Sequence, residues 1–92
     1  MFPSPRTQGF TVYTKDNCKY CSMVKELIPD ATYINSEPFL LDKKEEFLIF
    51  IQGLAAKPYR TFPMVFYNNK FVGGFTETHR LCAKFEADSE SS

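Results

Sequence analysis

Phe10-Thr11-Val12-Tyr13-Thr14-Lys15-Asp16-Asn17-Cys18-Lys19-Tyr20-Cys21-Ser22-Met23-Val24-Lys25-Glu26-Leu27-Ile28 is the stretch that decides the fold. Its first five residues are β-branched or aromatic and read as a strand. From Cys18 onward the pattern changes: Met23, Val24, Leu27 and Ile28 fall at the offsets of one helical face. Pro29-Asp30 ends that helix. Two thiols three positions apart therefore open a helix directly behind a strand, close enough to bond to each other.

The elements on either side follow from the same signals. Ala31 to Asn35 reads as a second strand, and Ser36-Glu37-Pro38 as a breaker leading into a helix. Phe39 to Leu54 reads as one long helix, with Leu40, Leu41, Phe47, Leu48, Ile51 and Leu54 on a broad apolar side and Asp42 to Glu46 on a solvated one. Lys57 to Pro63 is a loop. Met64 to Tyr67 and Lys70 to Val72 are strands joined by Asn68-Asn69, residues that tolerate positive φ in a two-residue hairpin turn. Gly73-Gly74 breaks the second strand, and Thr76 to Phe85 reads as a closing helix with Thr76 as its cap. The order βαβα, hairpin, α implies a parallel pair made through a crossover helix, with the hairpin adding antiparallel strands.

Ninety-two residues are one domain, residues 1–92. Residues 1–8 read as an extended lead-in and 86–92 as a flexible acidic tail. A composition 43% hydrophobic and 16% aromatic is that of a folded chain. The formal charge of zero gives no support to a basic nucleic-acid surface. The longest strongly apolar run, Phe47 to Ile51, is too short to span a membrane. The N-terminus lacks the apolar stretch of a secretory signal. Three cysteines, an odd set with two close together, suit a cytoplasmic protein with a working dithiol better than a secreted disulfide scaffold.

The thiolate is the reactive form of cysteine, and a helix N-terminus with nearby cations lowers its pKa. Cys18 sits where unpaired backbone N–H groups and the positive helix end favour a thiolate. Lys15 and Lys19 add charge. Cys21, one turn further in, reads as less exposed. This asymmetry makes Cys18 the attacking thiol and Cys21 the resolving one. A zinc site is the alternative: His79 and Cys82 form a second ligand pair beside Cys18 and Cys21. Both pairs fall on predicted helices, which favours redox chemistry. His79 then reads as a surface residue and Cys82 as a small residue on a buried helix face.

Three separated segments together resemble the glutaredoxins. Lys15-Asp16-Asn17-Cys18-Lys19-Tyr20-Cys21 is similar to the family's Lys-x-x-Cys-Pro-Tyr-Cys, Arg60-Thr61-Phe62-Pro63 to Arg-Thr-Val-Pro, and Gly73-Gly74-Phe75-Thr76-Glu77 to Gly-Gly-x-Ser/Thr-Asp. The resemblance runs from about Phe10 to Phe85, and the compact form resembles phage and viral members. It implies an α/β thioredoxin-like fold, a four-stranded mixed sheet flanked by about three helices. It implies a glutathione-dependent thiol–disulfide oxidoreductase acting through Cys18 and Cys21 on protein disulfides and protein–glutathione mixed disulfides, in cellular electron transport.

The resemblance also assigns a glutathione site. Pro63 would be a cis-proline that turns the backbone of Phe62 toward the cysteinyl part of glutathione, with Thr61 beside it. Gly74, Phe75, Thr76 and Glu77 would receive the γ-glutamyl carboxylate at a helix N-terminus. Lys15 and Arg60 would take the glycyl carboxylate, and Tyr20 would flank the mixed disulfide. Glutathione is the implied co-substrate, and no metal is expected. The implied partners are glutathione and disulfide-containing proteins such as ribonucleotide reductase, with no nucleic acid and no membrane, and the protein acting as a monomer. A thioredoxin-type reductase recycled by a flavoprotein, and a carrier holding an iron–sulfur cluster through glutathione, are the other readings. Lys19 in place of proline, the short helix cut by Pro29, and Glu77 in place of Asp depart from the family pattern.

Overall fold

A computed structural model describes residues 2–90, with side chains to residue 87. The elements run β1 (Phe10–Thr14), α1 (Lys19–Leu27), β2 (Thr32–Asn35), α2 (Glu37–Asp42), α3 (Lys44–Ala55), β3 (Met64–Tyr67), β4 (Lys70–Gly73) and α4 (Phe75–Glu90). The strands form one sheet in the order β2-β1-β3-β4. β1 and β2 are parallel, and β1–β3 and β3–β4 are antiparallel. This is the mixed sheet expected of a thioredoxin-like fold.

Alternation along the central strands divides the core between the two faces of the sheet. Tyr13, Met64 and Phe66 point to one face and pack with Phe47, Leu48 and Ile51 of α3. Val12 and Val65 point to the other and pack with Val24 of α1 and Phe75 of α4. Val12 and Val65 are also register partners across β1 and β3. Asn68 and Asn69 take φ of 51° and 67°, as a tight hairpin with the strands' own twist requires. Asn68 Oδ1 accepts from the Gly9 N–H at 2.7 Å, tying the hairpin tip to the entry of β1.

The single long helix expected over residues 39–54 is two, so the sheet carries four helices rather than three. Lys43 leaves helical geometry (φ −139°, ψ 50°), yet its N–H still donates to Phe39 O and its C=O still accepts from Phe47 N. The turn brings the rings of Phe39 and Phe47 to 5.4 Å. On a straight helix eight residues would separate them by about 12 Å. Ring packing therefore overrides helix propensity at Lys43; Leu41, just before the turn, is 77% exposed.

The closing helix is longer than its sequence pattern. α4 continues through the acidic residues to Glu90, so the stretch read as a tail is helical from residue 86 to 90; residues 91–92 lie outside the described residues. Of residues 2–8, most are exposed, but Phe2 and the buried Pro5 fasten the segment to the domain. Phe2 packs its ring 5.2–5.5 Å from those of Phe39, Phe47 and Phe50. The fully buried Tyr13 donates its hydroxyl to Pro3 O at 2.6 Å, and burial holds its phenol well above the ordinary tyrosine range. Tyr33 closes the end of α1 by donating to Ile28 O at 2.7 Å, its phenol pushed up to about 12 by burial.

Candidate active site

The site begins where β1 hands over to α1. Asn17, with φ 55°, turns the chain sharply. The loop is fastened to α2: the Asp16 N–H donates to Glu37 Oε1 at 3.1 Å, Asn35 Nδ2 to Asp16 Oδ1 at 3.4 Å, and the Glu37 N–H to Asn35 Oδ1 at 2.9 Å. Cys18 is the N-cap of α1, with extended backbone, and its Sγ accepts from the Cys21 N–H at 3.2 Å. No acidic residue sits in the first turn of α1. A sulfur in this position faces the positive end of the helix and a hydrogen-bond donor, both of which favour a thiolate over a thiol. Cys18 and Cys21 are joined as a disulfide, their Cα atoms 5.2 Å apart, ordinary for such a bond. Cys18 is half-buried, whereas Cys21 is only 3% exposed. The exposed partner is thus the one at the helix end.

Beside the dithiol runs a groove of about 510 Å³, within the usual range for a small-molecule site. Lys15, Tyr20, Arg60, Thr61, Phe62, Pro63, Gly74, Phe75, Thr76 and Glu77 all line it. The fold therefore brings together every residue that the sequence assigned to glutathione. The two cysteines are not among its walls; Tyr20, between them in sequence, is. The Phe62–Pro63 peptide is cis. The Phe62 ring stacks parallel to Phe47 on the core side, centroids 6.5 Å apart. Its backbone N–H and C=O have no partner among the described residues, so they are open to a peptide-like ligand.

At one end of the groove α4 begins, and the cap differs from the sequence expectation. The Thr78 N–H donates to Gly74 O at 3.1 Å, and Thr78 Oγ1 donates to the same oxygen at 2.8 Å. Gly74, not Thr76, is therefore the N-cap; Thr76 lies inside the helix. Glu77 reaches back to accept the Gly74 N–H at 2.7 Å, half of a capping box. Side-chain preference favours Thr76, but the returning Glu77 carboxylate does the capping here, while the buried Thr78 hydroxyl bonds back to the Gly74 carbonyl. The N–H groups that follow, on Phe75, Thr76 and Glu77, are those a helix leaves unpaired, and they belong to residues that line the groove.

At the other end stand two cations. Arg60 Nη2 donates to Glu45 Oε2 at 2.9 Å in an exposed ion pair. That hydrogen bond, and then the guanidinium charge, hold the Glu45 carboxyl below its ordinary range. Lys15 Nζ lies 5.8 Å above the Phe62 ring. Tyr20, 53% exposed, leans toward Phe75 with ring centroids 6.2 Å apart. Tyr59 is the groove residue that sequence reasoning missed. Its hydroxyl lies 2.8 Å from where a Cβ on Gly74 would be, so that glycine gives the tyrosine room. The signal was its place in the Arg60 loop, next to a residue already assigned.

His79 and Cys82 stand apart from the dithiol chemistry. His79 is exposed, with its ring 5.9 Å from Phe75. The Cys82 thiol is pushed up by partial burial and then by the Glu86 charge. Among the described residues no three His, Cys, Asp or Glu side chains converge as a metal site.

A dithiol at a helix N-cap, a cis-proline loop and a glycine-opened helix, all on a mixed four-stranded sheet, define a redox protein of the thioredoxin-like fold. The chain belongs to the glutaredoxin family, a family of thiol–disulfide oxidoreductases: residues 10–72 match it. It is 34% identical to a glutaredoxin of Neisseria meningitidis, over 80% of this chain and 85% of that one. It is 36% identical to human mitochondrial glutaredoxin-2, over 76% of this chain but 43% of that one. The chain thus spans less than half the length of the mammalian relatives it matches. Glutaredoxin 1 of Francisella tularensis, solved with cacodylate, superposes with a TM-score of 0.71 at 21% identity, covering 86% of this chain and 96% of its own. A buckwheat glutaredoxin–glutathione complex gives 0.66 at 25% identity, covering 86% and 72%.

Proposed function

We propose that the domain is a glutathione-dependent reductase of protein disulfides and protein–glutathione mixed disulfides. The observation that carries this reading is the single groove that joins Lys15, Arg60, Phe62, Gly74 and Glu77 beside the N-cap cysteine. The tripeptide's cysteinyl residue pairs with the open backbone of Phe62, its γ-glutamyl carboxylate meets the start of α4, and its glycyl carboxylate meets Lys15 and Arg60. Each end of the ligand carries a carboxylate, and each end of the groove offers positive charge or unpaired N–H groups.

In the reduced protein the Cys18 thiolate attacks a sulfur of the substrate disulfide. One thiolate leaves, and the other half stays bonded to Cys18. On a protein disulfide, Cys21 gives up its proton and attacks Cys18 Sγ, which releases the second thiol and forms the Cys18–Cys21 disulfide. Two glutathione molecules then restore the dithiol and leave as glutathione disulfide. On a glutathione mixed disulfide, Cys18 takes the glutathionyl group and a second glutathione removes it, so Cys21 is dispensable. Disulfides such as that of ribonucleotide reductase fall within this reading, with the domain working as a monomer in a reducing cytoplasm.

A glutathione-coupled assay on three proteins tests it. Cys18→Ser is expected to be inactive on both substrate types. Cys21→Ser is expected to keep activity on a small glutathione mixed disulfide and lose most of it on a protein disulfide. Full activity in Cys18→Ser would overturn the mechanism.

A further inference from the structure

A second groove of about 300 Å³ adjoins the first and shares Lys15, Arg60 and Phe62 with it. Its own walls are Leu40, Leu41 and Lys44, with the buried Leu48 as an apolar floor. Asp16 and Glu37 line it too, but their carboxylates serve the protein: Asp16 accepts from Asn35 and Glu37 from the Asp16 N–H. Beside them lies an apolar patch with Lys15, Lys44 and the Glu45-paired Arg60 along it. Among the described residues Leu41 is the most exposed of the large apolar side chains, at 77%.

Glutathione ends at its glycyl carboxylate, and so has nothing to place beyond Lys15 and Arg60. A protein substrate differs there. Its chain continues past the reactive cysteine, and a neutral peptide bond replaces the carboxylate. Arg60 keeps Glu45 as its partner, but Lys15, in no ion pair among the described residues, then lacks a counter-charge unless a side chain supplies one, and the continuing chain is led toward the second groove that shares Lys15, Arg60 and Phe62. We propose, resting on the glutathione reading above, that this groove binds the segment following the reactive cysteine of a protein substrate. It selects an acidic residue directly after that cysteine and a large aliphatic residue next. Lys15 and Lys44 take the acid, and Leu40, Leu41 and Leu48 take the aliphatic side chain.

Symmetric disulfides of short peptides with blocked termini test this, with glutathione as reductant. Three carry Cys-Asp-Leu, Cys-Asp-Ser and Cys-Ser-Ser. The first is expected to show kcat/KM about fivefold above the second, a gain that partial burial of one aliphatic side chain supports. The second is expected to exceed the third, by a margin that salt erases. Leu41→Ser is expected to remove the leucine preference and leave turnover of a small glutathione mixed disulfide unchanged. Equal rates for the three peptides, or a leucine preference that survives Leu41→Ser, would overturn the inference while the glutathione reading stands. Failure of the wild type on the glutathione mixed disulfide would overturn both.

Discussion

The two ends of the active-site groove are made of different materials. At the α4 end the working groups belong to the backbone: the free N–H groups after Gly74 and the open peptide of Phe62. Their neighbours Pro63, Gly73, Gly74 and Thr78 are buried. At the other end the working groups are the tips of Lys15 and Arg60, both exposed, with Arg60 in an ion pair whose partners are 52% and 68% accessible. Backbone groups are fixed wherever the fold is fixed, whatever side chains the loop carries. Exposed cations can be exchanged without touching the fold. The difference suggests a division of labour, in which the backbone end holds the reacting sulfur in line and the cation end chooses among partners.

Gly73→Ala attacks the first end and should have the largest effect. Gly73 has φ of 133°, and a Cβ there would fall 2.6 Å from Glu77 Oε1, the atom that caps Gly74. We expect a loss of about 1–3 kcal/mol in urea denaturation. Turnover of a glutathione mixed disulfide should fall about tenfold, as misplaced reacting groups cost rate steeply. Wild-type behaviour would break the comparison at its stronger side. Arg60→Ala attacks the second end. Its KM for the glutathione substrate should rise about fivefold, with kcat and the denaturation midpoint unchanged, the mark of lost uniform binding. A drop in stability to match the glycine variant would show that both ends belong to the fold.

Glu45→Gln is the smallest perturbation and the finest test. Arg60 depresses the folded-state pKa of Glu45. The pair's contribution is therefore complete above the ordinary glutamate range and is lost as pH falls through the lowered folded value. Wild type should be slightly the more stable at neutral pH, and the gap to the variant should close in acid. At neutral pH the variant should bind the glutathione substrate slightly tighter, because Arg60 loses a competing carboxylate. A gap that widens in acid would assign Glu45 another role.

Much of this was legible in the chain. Phe10 to Thr14 followed by Cys18-x-x-Cys21 has a strand period, then a helix period, with chemistry at the junction. The Asn68-Asn69 hairpin and the Gly73-Gly74 break are local turn chemistry and read correctly. What escaped depends on contacts between distant residues. Nothing near Lys43 breaks a helix; the aromatic cluster of Phe2, Phe39 and Phe47 turns it. Thr76 has a capping side chain, yet Glu77 settles the helix start two residues earlier, at Gly74. Arg60 reads as a free ligand for a carboxylate until the fold sets Glu45 beside it. Leu41 fits an apolar helix face in the sequence, yet it stands outside, two residues before the turn.

The adjacency of β1 and β3 at the centre of the sheet has one more consequence. β1 delivers Cys18, and β3 starts immediately after Pro63. Because the strands are antiparallel, with Tyr13 opposite Met64, both deliveries occur at the same edge. The dithiol and the proline loop cannot separate unless the innermost ladder of the domain opens. Backbone amides of that central ladder are expected to be among the last to exchange with solvent. Fluctuations that fray β2 or the last turns of α4 leave the dithiol and the proline loop side by side, whereas the Gly73-Gly74 end of the groove hangs on the outer strand β4.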